Sequence, residues 1–451
     1  MNTLVALWCM LLAADRVDVF AGAGPFVLTP FLLLTPLVVL SAIWARARAG
    51  EPLAQLQLEG RAPLLRWLLL ALIAVVTLSV FVSMDVSRSA MRAMQLVVVA
   101  FGAFAVRALV PHERLREALV RGARWGMVFY AVMALFQMAA LLGVIPDRLP
   151  SAALPMVNLM PSLHGGLVPR LSGPVVDSNR SGLLLVLYGA LLLRHDWRRH
   201  VGMLALTALF LLITLSRSAV MAACVALCWE VLVHGRARGQ AALRHGLLRA
   251  PSRAVLGVGA VTSLFVGGVA ASLLLSPRLR AEASRVLTPV TERFTIDRGS
   301  GEDHLRLLAR GVETGTRSVP LALHGMGYGS AHLALQDFFP GDRYGNFHSV
   351  YVGIFAESGM VALLVVLLLI GVPIAGGTSQ GALAVVVAVF GVFYGALAEP
   401  TFWVSLVLAW LPLEVAVLAV SGVAPNPGWR SARPKASSNA TAVPSTAPST
   451  S

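Results

Sequence analysis

Long apolar runs that contain almost no charge recur along the 451-residue chain, and they constrain its fold more than any other feature. A helix needs about 20 apolar residues to cross about 30 Å of hydrocarbon, and helices satisfy their own backbone hydrogen bonds there. Charged residues make up 13% of the chain, whereas soluble domains carry about 25%. This composition excludes an ordinary soluble enzyme. We therefore predict an all-α, polytopic integral membrane protein.

The number of apolar runs predicts about 12 transmembrane helices. The first run is short for a span, and the others approach or reach the required length. The runs lie at roughly 4–14, 25–44, 67–83, 94–110, 125–145, 182–193, 201–215, 219–233, 254–275, 350–372, 381–398 and 402–420.

The distribution of basic residues predicts the orientation of these helices. The short loops on one side, together with the C-terminal tail, hold twenty basic residues, whereas the opposite short loops hold seven. Loops rich in arginine stay in the cytoplasm, so both chain ends are predicted to be cytoplasmic. A longer loop at about 277–348 then faces outward. We divide the chain into a transmembrane domain, 1–421, into which this loop is inserted, and a disordered cytoplasmic tail, 422–451, rich in Ser, Thr, Pro and Ala.

The outward loop contains one predicted surface helix, at about 301–316. Ser300-Gly-Glu-Asp303 has the pattern of a helix N-cap followed by acidic residues, and Leu305, Leu308 and Val312 recur at helical spacing. Within that helix Arg306 and Arg310 lie one turn apart, so an anion across them would offset their repulsion. The alternative for Arg306 is an exposed ion pair with Glu302.

A glycine-rich segment, His324-Gly-Met-Gly-Tyr-Gly-Ser330, follows in the same loop. Gly325, Gly327 and Gly329 could let backbone approach a phosphate closely, and the alternative is a plain turn. The segment lacks the Lys and Ser/Thr of a P-loop, so we predict no nucleotide site. The spacing of His324 and His332 does not match a zinc pair on a helix, and we predict no metal.

Three ionisable residues lie in or next to predicted spans, and Glu357 lies inside the tenth. Arg217 separates two spans with almost no loop between them, which suggests an anion site or, alternatively, an arginine that snorkels to the interface. His348 precedes the tenth span and suits a general base, the alternative being an interfacial histidine bonded to backbone. Glu357 lies nine residues later, on roughly the opposite side of an ideal helix. We expect Glu357 to pair with an arginine or a polar group elsewhere.

Arg170 and Arg180 lie in the loop before the sixth span, within Arg170-Leu-Ser-Gly173-Pro-Val-Val-Asp177-Ser-Asn179-Arg180. With Arg217, Arg306 and His348, they place positive charge and a base on the outward face from four chain regions. This set suits an anionic, lipid-linked substrate.

The order of these motifs resembles the O-antigen ligase and polymerase superfamily of bacterial inner-membrane glycan transferases. The resemblance runs from about Arg170 to Gly359. It comprises the Arg-x-x-Gly…Asn loop, the Ser-Arg-Ser step at Arg217, an arginine on a loop helix, Gly-x-Gly-x-Gly, and His348-Ser-Val-Tyr351 followed by Glu357-Ser-Gly359. Ser349 departs from the usual His-Asn, and Arg310 stands where a Trp is common.

The resemblance implies transfer of a glycan from undecaprenyl diphosphate to an acceptor hydroxyl at the periplasmic face of the inner membrane. The acceptor would be lipid A core, a growing glycan or another hydroxyl, and no cofactor is implied. His348 would be the base, and Arg217 and Arg306 would hold the diphosphate. The wider predicted substrate-binding set is Arg170, Arg180, Arg310, Gly325, Gly327, Gly329 and Glu357.

Several alternatives stay open at this point. A polymerase of surface polysaccharide and a protein O-oligosaccharyltransferase share these motifs with a ligase. A secondary transporter also commonly has twelve spans with both ends in the cytoplasm, but its charges would be expected near mid-membrane. If the protein has only a structural role in the membrane, the clustering of arginines on the outward face has no functional cause.

Overall fold

Helices form at eleven of the twelve predicted apolar runs within the part of the chain that the structure describes. This structure is a computed structural model, and it describes residues 1–15, 28–50, 62–146, 158–161, 167–170, 172–214, 216–245, 300–340, 345–376, 381–395, 397 and 399–410. The predicted span at 254–275 and the predicted tail at 422–451 lie outside these ranges.

The helices of the first third overlap the first five apolar runs, although α4 and α6 begin well before their runs at 94–110 and 125–145. A π-helical turn, Val97–Phe101, joins α4 to α5, so that these two helices continue one another. The bounds are α1 (Asn2–Met10), α2 (Pro30–Arg48), α3 (Ala62–Phe81), α4 (Val86–Leu96), α5 (Gly102–Leu109) and α6 (His112–Leu141).

The remaining described elements are one hairpin, nine further α-helices and two short 3-10 helices, Leu11–Ala13 and Trp197–His200. The hairpin, which the sequence analysis does not predict, pairs β1 (Asn158–Pro161) with β2 (Leu167–Arg170) in antiparallel register, with Asn158 opposite Arg170. The helices are α7 (Ser178–Asp196), α8 (Val201–Ile213), α9 (Arg217–His245), α10 (Ser300–Thr316), α11 (Val319–His324), α12 (Ala331–Ala334), α13 (Val350–Ala375), α14 (Gly381–Phe393) and α15 (Pro400–Ala409).

Five helical segments are long and apolar enough to cross a membrane: Pro30–Arg48, Pro63–Phe81, Val86–Leu109, His112–Leu141 and Val350–Ala375. They also expose large apolar side chains, such as Leu78 at 65% and Leu135 at 70%, as helices in contact with lipid do. The chain is therefore a helical protein with several helices suited to a membrane. The count of twelve spans and the predicted orientation stay predictions.

Helix α1 is short for a membrane span. Together with the 3-10 turn Leu11–Ala13 it forms one apolar helical segment, Asn2–Ala13, which is shorter than the about 20 residues that usually cross the hydrocarbon. Val5, Trp8 and Cys9 are buried. A Cβ on Gly122 of α6 would lie 2.5 Å from the Ala6 carbonyl oxygen, so the two helices touch along their backbones. The first apolar run thus packs closely against α6.

Helix α13 is interrupted at Gly359, where φ is +83° and ψ is −179°. The glycine-rich segment fills this break. The Met326 amide donates to the Ala356 carbonyl, and the Gly327 amide donates to the Glu357 carbonyl, each at 2.9 Å. The fit requires glycine on both sides, because a Cβ on Gly359 would lie 2.1 Å from the Leu323 carbonyl oxygen and one on Gly325 would lie 2.2 Å from the Glu357 carbonyl carbon.

The predicted surface helix at 301–316 is confirmed as α10. The apolar residues that identify it are not the ones that pack, since Leu305 is 59% exposed and Val312 is 46% exposed. The packed face instead carries Leu307 and two glycines. A Cβ on Gly311 would lie 2.3 Å from Val352, and one on Gly315 would lie 2.5 Å from Phe355. These glycines let α10 lie directly on the first two turns of α13.

Candidate functional site

The start of α7 is the centre of a polar network that joins three of the predicted regions. Asp177 caps the helix, and its carboxylate accepts from the amides of Asn179 and Arg180. The Asn179 side-chain oxygen accepts from Ser216 Oγ at 3.0 Å and from Arg170 Nη2 at 3.4 Å. The end of β2, the start of α7 and the start of α9 therefore meet at one place.

Two of the predicted anion-binding arginines lie beside one another in this network. Arg170 Nε donates to the Thr214 carbonyl at 3.0 Å, which holds its guanidinium at the turn before α9. Burial lowers the pKa of Arg170, and the nearby charge of Arg217 lowers it further, whereas Asp177 raises it. Burial also lowers the pKa of Arg217. Two partly desolvated cations close together favour a bound anion.

His348 lies near the same helix start and has an unusual backbone. Its φ is +54°, and it is the one non-glycine residue with positive φ in the described parts of the chain. The Asn346 side-chain oxygen accepts from the His348 amide at 2.8 Å and fixes this conformation. Because His348 precedes α13, the comparison of its side with that of Glu357 on an ideal helix does not apply. Strained backbone at a polar site is typical of functional residues.

The imidazole of His348 is set up to be neutral. Its Nδ1 atom is buried and has no hydrogen-bond partner among the described residues. Burial lowers the pKa of His348 below its ordinary value, and the nearby Asp177 carboxylate opposes that shift. A neutral imidazole at physiological pH is the form that accepts a proton.

A second histidine, which the sequence analysis did not identify, contacts His348. The rings of His304 and His348 meet edge to face, with centroids 4.5 Å apart. His304 lies on the face of α10 that also carries Leu307 and Gly311, so the docking of this helix brings it to the site. The available sequence signal was the spacing of His304, Gly311 and Gly315 at multiples of about one helical turn.

Arg180 is engaged with acidic groups. It pairs with Glu399 at 2.8 Å and Asp15 at 3.3 Å, and its Nε donates to the Tyr394 hydroxyl at 3.1 Å. Burial raises the pKa of Glu399 to about 7, although Arg180 acts to lower it. A guanidinium held between two carboxylates has little charge left for a substrate. This geometry favours a structural role for Arg180 over the predicted substrate contact.

The two arginines of α10 also have acidic partners. Arg306 pairs with Glu302 at 2.5 Å, and both side chains are more than half exposed. This is the exposed i, i+4 pair that the sequence left open, and such pairs contribute about 0.3–0.5 kcal/mol. Arg310 pairs with Glu313 and Asp337, each at 3.1 Å, and donates to the Ala334 carbonyl at 3.3 Å. Arg310 thereby fastens α10 to the segment after α12.

The glycine-rich segment uses its amides inside the protein. In addition to the two bonds into the break of α13, the Tyr328 amide donates to Ser79 Oγ at 3.2 Å. The Ala331 amide donates to the buried Glu357 carboxylate at 2.8 Å, which gives Glu357 the polar partner that we expected. The phosphate contact predicted for Gly325, Gly327 and Gly329 stays a prediction, because the structure gives these residues a packing role that needs no ligand.

Metal binding has no support in the described part of the chain. Within those ranges, no three His, Cys, Asp or Glu side chains are grouped so as to hold an ion. His332 instead faces Asp85, with Nε2 and Oδ2 3.7 Å apart.

A comparison with models of known protein families and with curated protein sequences finds no match for this chain. The structure itself defines a helical protein in which several helices are long and apolar enough to cross a membrane. Its candidate site combines a neutral histidine, a carboxylate and two adjacent arginines.

Proposed function

We propose that this protein transfers a glycan from a polyprenyl diphosphate to an acceptor hydroxyl at the outer face of a bacterial inner membrane, as an O-antigen ligase-like enzyme. The observation that carries the proposal is the hydrogen bonding of Arg170 to Thr214 and, through Asn179, to Ser216, which brings Arg170 to the turn that leads into Arg217. Asp177 of the same network acts electrostatically on both Arg170 and His348. A diphosphate is an anion that two arginine forks can hold, and a transferase of this kind needs a base beside it.

The chemistry that this arrangement supports is a displacement at the first sugar of the donor. His348 takes the proton of the acceptor hydroxyl, and the acceptor oxygen forms a bond to C1. The bond between C1 and the diphosphate oxygen breaks, and the lipid diphosphate leaves with the electron pair. Arg170 and Arg217 stabilise the charge that develops on this leaving group, an effect worth roughly 10²–10³ in rate per donor. The base contributes roughly 10²–10⁴.

Arg306 has a smaller part in this proposal than the sequence suggested. Its side chain is 61% exposed and already paired with Glu302. To neutralise the diphosphate, it would have to exchange that carboxylate for the substrate, so we expect a weaker effect for Arg306 than for Arg217. Lipid A core, a growing glycan and a protein hydroxyl are the acceptors that this chemistry admits, so ligase, polymerase and protein glycosylation share it.

A secondary transporter is a second candidate, and one observation favours it. Helix α13 breaks at Gly359 beside the buried carboxylate of Glu357, as helices at transporter binding sites often do. However, the amides of the glycine-rich segment fill this break, so its backbone is not exposed to a substrate. This observation makes the transferase the better supported function.

The experiment that tests the proposal separates donor binding from turnover. His348→Ala should abolish transfer while the purified protein still retains the lipid-linked donor, because a base acts on the acceptor. Arg170→Ala and Arg217→Ala should weaken retention as well as turnover. Arg→Lys at either position should rescue only in part, because an ammonium lacks the planar fork. Arg317→Ala, at an exposed arginine just after α10, is the matched control.

The outcome that contradicts the proposal is equal donor retention by the wild type and both arginine variants.

Deletion of the gene distinguishes the acceptors. Loss of a ligase leaves lipid-linked polymer unattached, whereas loss of a polymerase leaves single repeat units attached. A normal set of surface glycans in the deletion strain, with a small molecule no longer taken up, would support the transporter.

A further inference from the structure

The contact between His304 and His348 joins the outward loop to the candidate base. Helix α10 belongs to that loop, whereas His348 begins the segment that leads into α13. Their rings meet edge to face at 4.5 Å, an arrangement that aromatic pairs prefer. Through this ring contact, His304 connects α10 directly to the imidazole of His348.

Two features bring the two histidines together. The buried Leu307 and the close approach of Gly311 to Val352 fix the position at which α10 packs along α13. The positive φ of His348 and its amide bond to Asn346 fix the backbone that carries the imidazole. What the backbone does not fix is the rotation of the imidazole about its side-chain bonds, and a ring packed against it supplies that constraint.

The electrostatic surroundings of His348 are also defined. Asp177 at the start of α7 is the carboxylate that acts on it, and the same carboxylate acts on Arg170. His304 is the titratable group on α10 that touches it. The ring of His304 excludes water from one side of the imidazole, and burial favours the neutral form of a histidine.

We propose that His304 is a positioning residue for His348: its ring holds the imidazole in the orientation and the shielded environment that proton transfer requires. This inference rests on the proposed function for its catalytic meaning, but the ring contact itself can be tested without activity. It also explains why the outward loop has to dock on α13, since an undocked α10 leaves the base rotationally free.

The test compares two replacements at the same position in the full-length, detergent-purified protein. His304→Ala removes the ring, whereas His304→Phe keeps a ring that can pack edge to face. We expect His304→Ala to lower turnover on the order of 10- to 100-fold, the effect of a small misplacement of a catalytic group. The KM for the donor should not change, and His304→Phe should restore most of the turnover.

A second measurement reads His348 directly. Diethyl pyrocarbonate acylates neutral imidazole, so its rate of reaction with the His348 peptide, followed by mass spectrometry against pH, reports the pKa of that residue. In His304→Ala the shielding ring is lost, so the pKa of His348 should rise toward its ordinary value. In His304→Phe a ring remains, so the pKa of His348 should stay unchanged. Leu305→Ala, next to His304 but on the exposed face, is the control and should match the wild type.

The outcomes separate this inference from the proposed function. An unshifted His348 titration in His304→Ala overturns the positioning role even where transfer activity is lost. The positioning role is also overturned if His304→Phe fails to restore the wild-type pKa of His348. That result would mean that the ionisable nitrogen of His304, and not its ring, affects His348. If the wild type proves to have no transferase activity but the titration shifts as described, the positioning contact stands and the proposed function fails.

Discussion

The arginines of the candidate site show how much a residue's role depends on its neighbours. Arg170 and Arg217 lie beside each other, whereas Arg180 lies between Asp15 and Glu399. Arg306 pairs with a carboxylate on its own exposed helix turn. These residues have the same side chain and the same predicted task, yet only the first two combine partial burial with a second cation. At the residue scale, the role of each arginine therefore depends on which charged groups lie around it.

A prediction at this scale concerns the carboxylate that links the arginines to the base. Asp177→Asn should keep the cap of α7, because Asn is as good an N-cap as Asp. It removes the negative charge that raises the pKa of His348. The pKa of His348 should therefore fall, so that the acid limb of the pH–rate profile for transfer, expected below about 6.5, moves to lower pH.

The measurement is kcat/KM for transfer across about pH 4.5–8.5, which is two units either side of an ordinary histidine pKa, in wild type and Asp177→Asn. Thermal unfolding checks that the cap survives. If the acid limb moves to higher pH instead, the result contradicts the prediction, because the loss of a neighbouring carboxylate lowers the pKa of a histidine. Asp177 would then not act electrostatically on His348.

At the scale of elements, glycines decide which helices can touch. The faces of α10 and α13 approach through Gly311 and Gly315, and the break in α13 closes on the glycine-rich segment through Gly325 and Gly359. In each place a Cβ would overlap atoms of the partner. Bent backbone near a membrane is stable only where its polar groups find protein partners, and here the amides of Met326 and Gly327 supply them.

The corresponding prediction compares two glycines of the same helix. Gly359→Ala places a Cβ 2.1 Å from the Leu323 carbonyl oxygen, in a backbone conformation that essentially only glycine adopts. We expect a loss of about 1–3 kcal/mol or more in stability and a lower Tm. In Gly371→Ala the new Cβ meets nothing within 4 Å, so Tm should stay the same or rise, as Ala favours a helix by about 0.5–1 kcal/mol.

The two Tm values are measured in the same detergent by the fluorescence of the native tryptophans. Gly359→Ala with an unchanged Tm would mean that the break in α13 does not depend on glycine, and the interlock with the glycine-rich segment would then have to be rejected.

At the scale of the whole molecule, hydropathy and arginine together predict which face of the protein carries the site. The network around Asp177, the start of α9 and the start of α13 all lie at helix ends that the arginine distribution places outside. A polyprenyl-linked donor would be reached there only if this orientation is correct. The orientation is therefore the premise on which the substrate assignment depends.

Reporter fusions test this premise. A fusion after Gly235 and another after Ser431 should report the cytoplasm, and a fusion near Arg285 should report the periplasm, because the arginine-rich short loops stay inside. The readout is a pair of reporters that are active on opposite sides of the membrane. A cytoplasmic signal at Arg285 would place α10 and His348 on the wrong side for the proposed donor.

The presence of the long helices follows from the sequence alone, because hydropathy and helical spacing are local properties. The apolar runs mark α2 to α6, and the N-cap pattern at Ser300 marks α10 to within one residue of its start. The shortness of α1 as a span is also visible in the run at 4–14. Each of these predictions needs only residues that are neighbours along the chain.

The composition of the site was decided by tertiary structure. Asp15 and Arg180 are 165 residues apart, and Arg180 and Tyr394 are 214 apart, so no local pattern predicts that they pair. The contact of His304 with His348 depends on α10 docking through Gly311 and Gly315, residues that hydropathy does not mark as a packed face. Charge pairing and close packing depend on distance in space, which the chain sets only after its helices have come together.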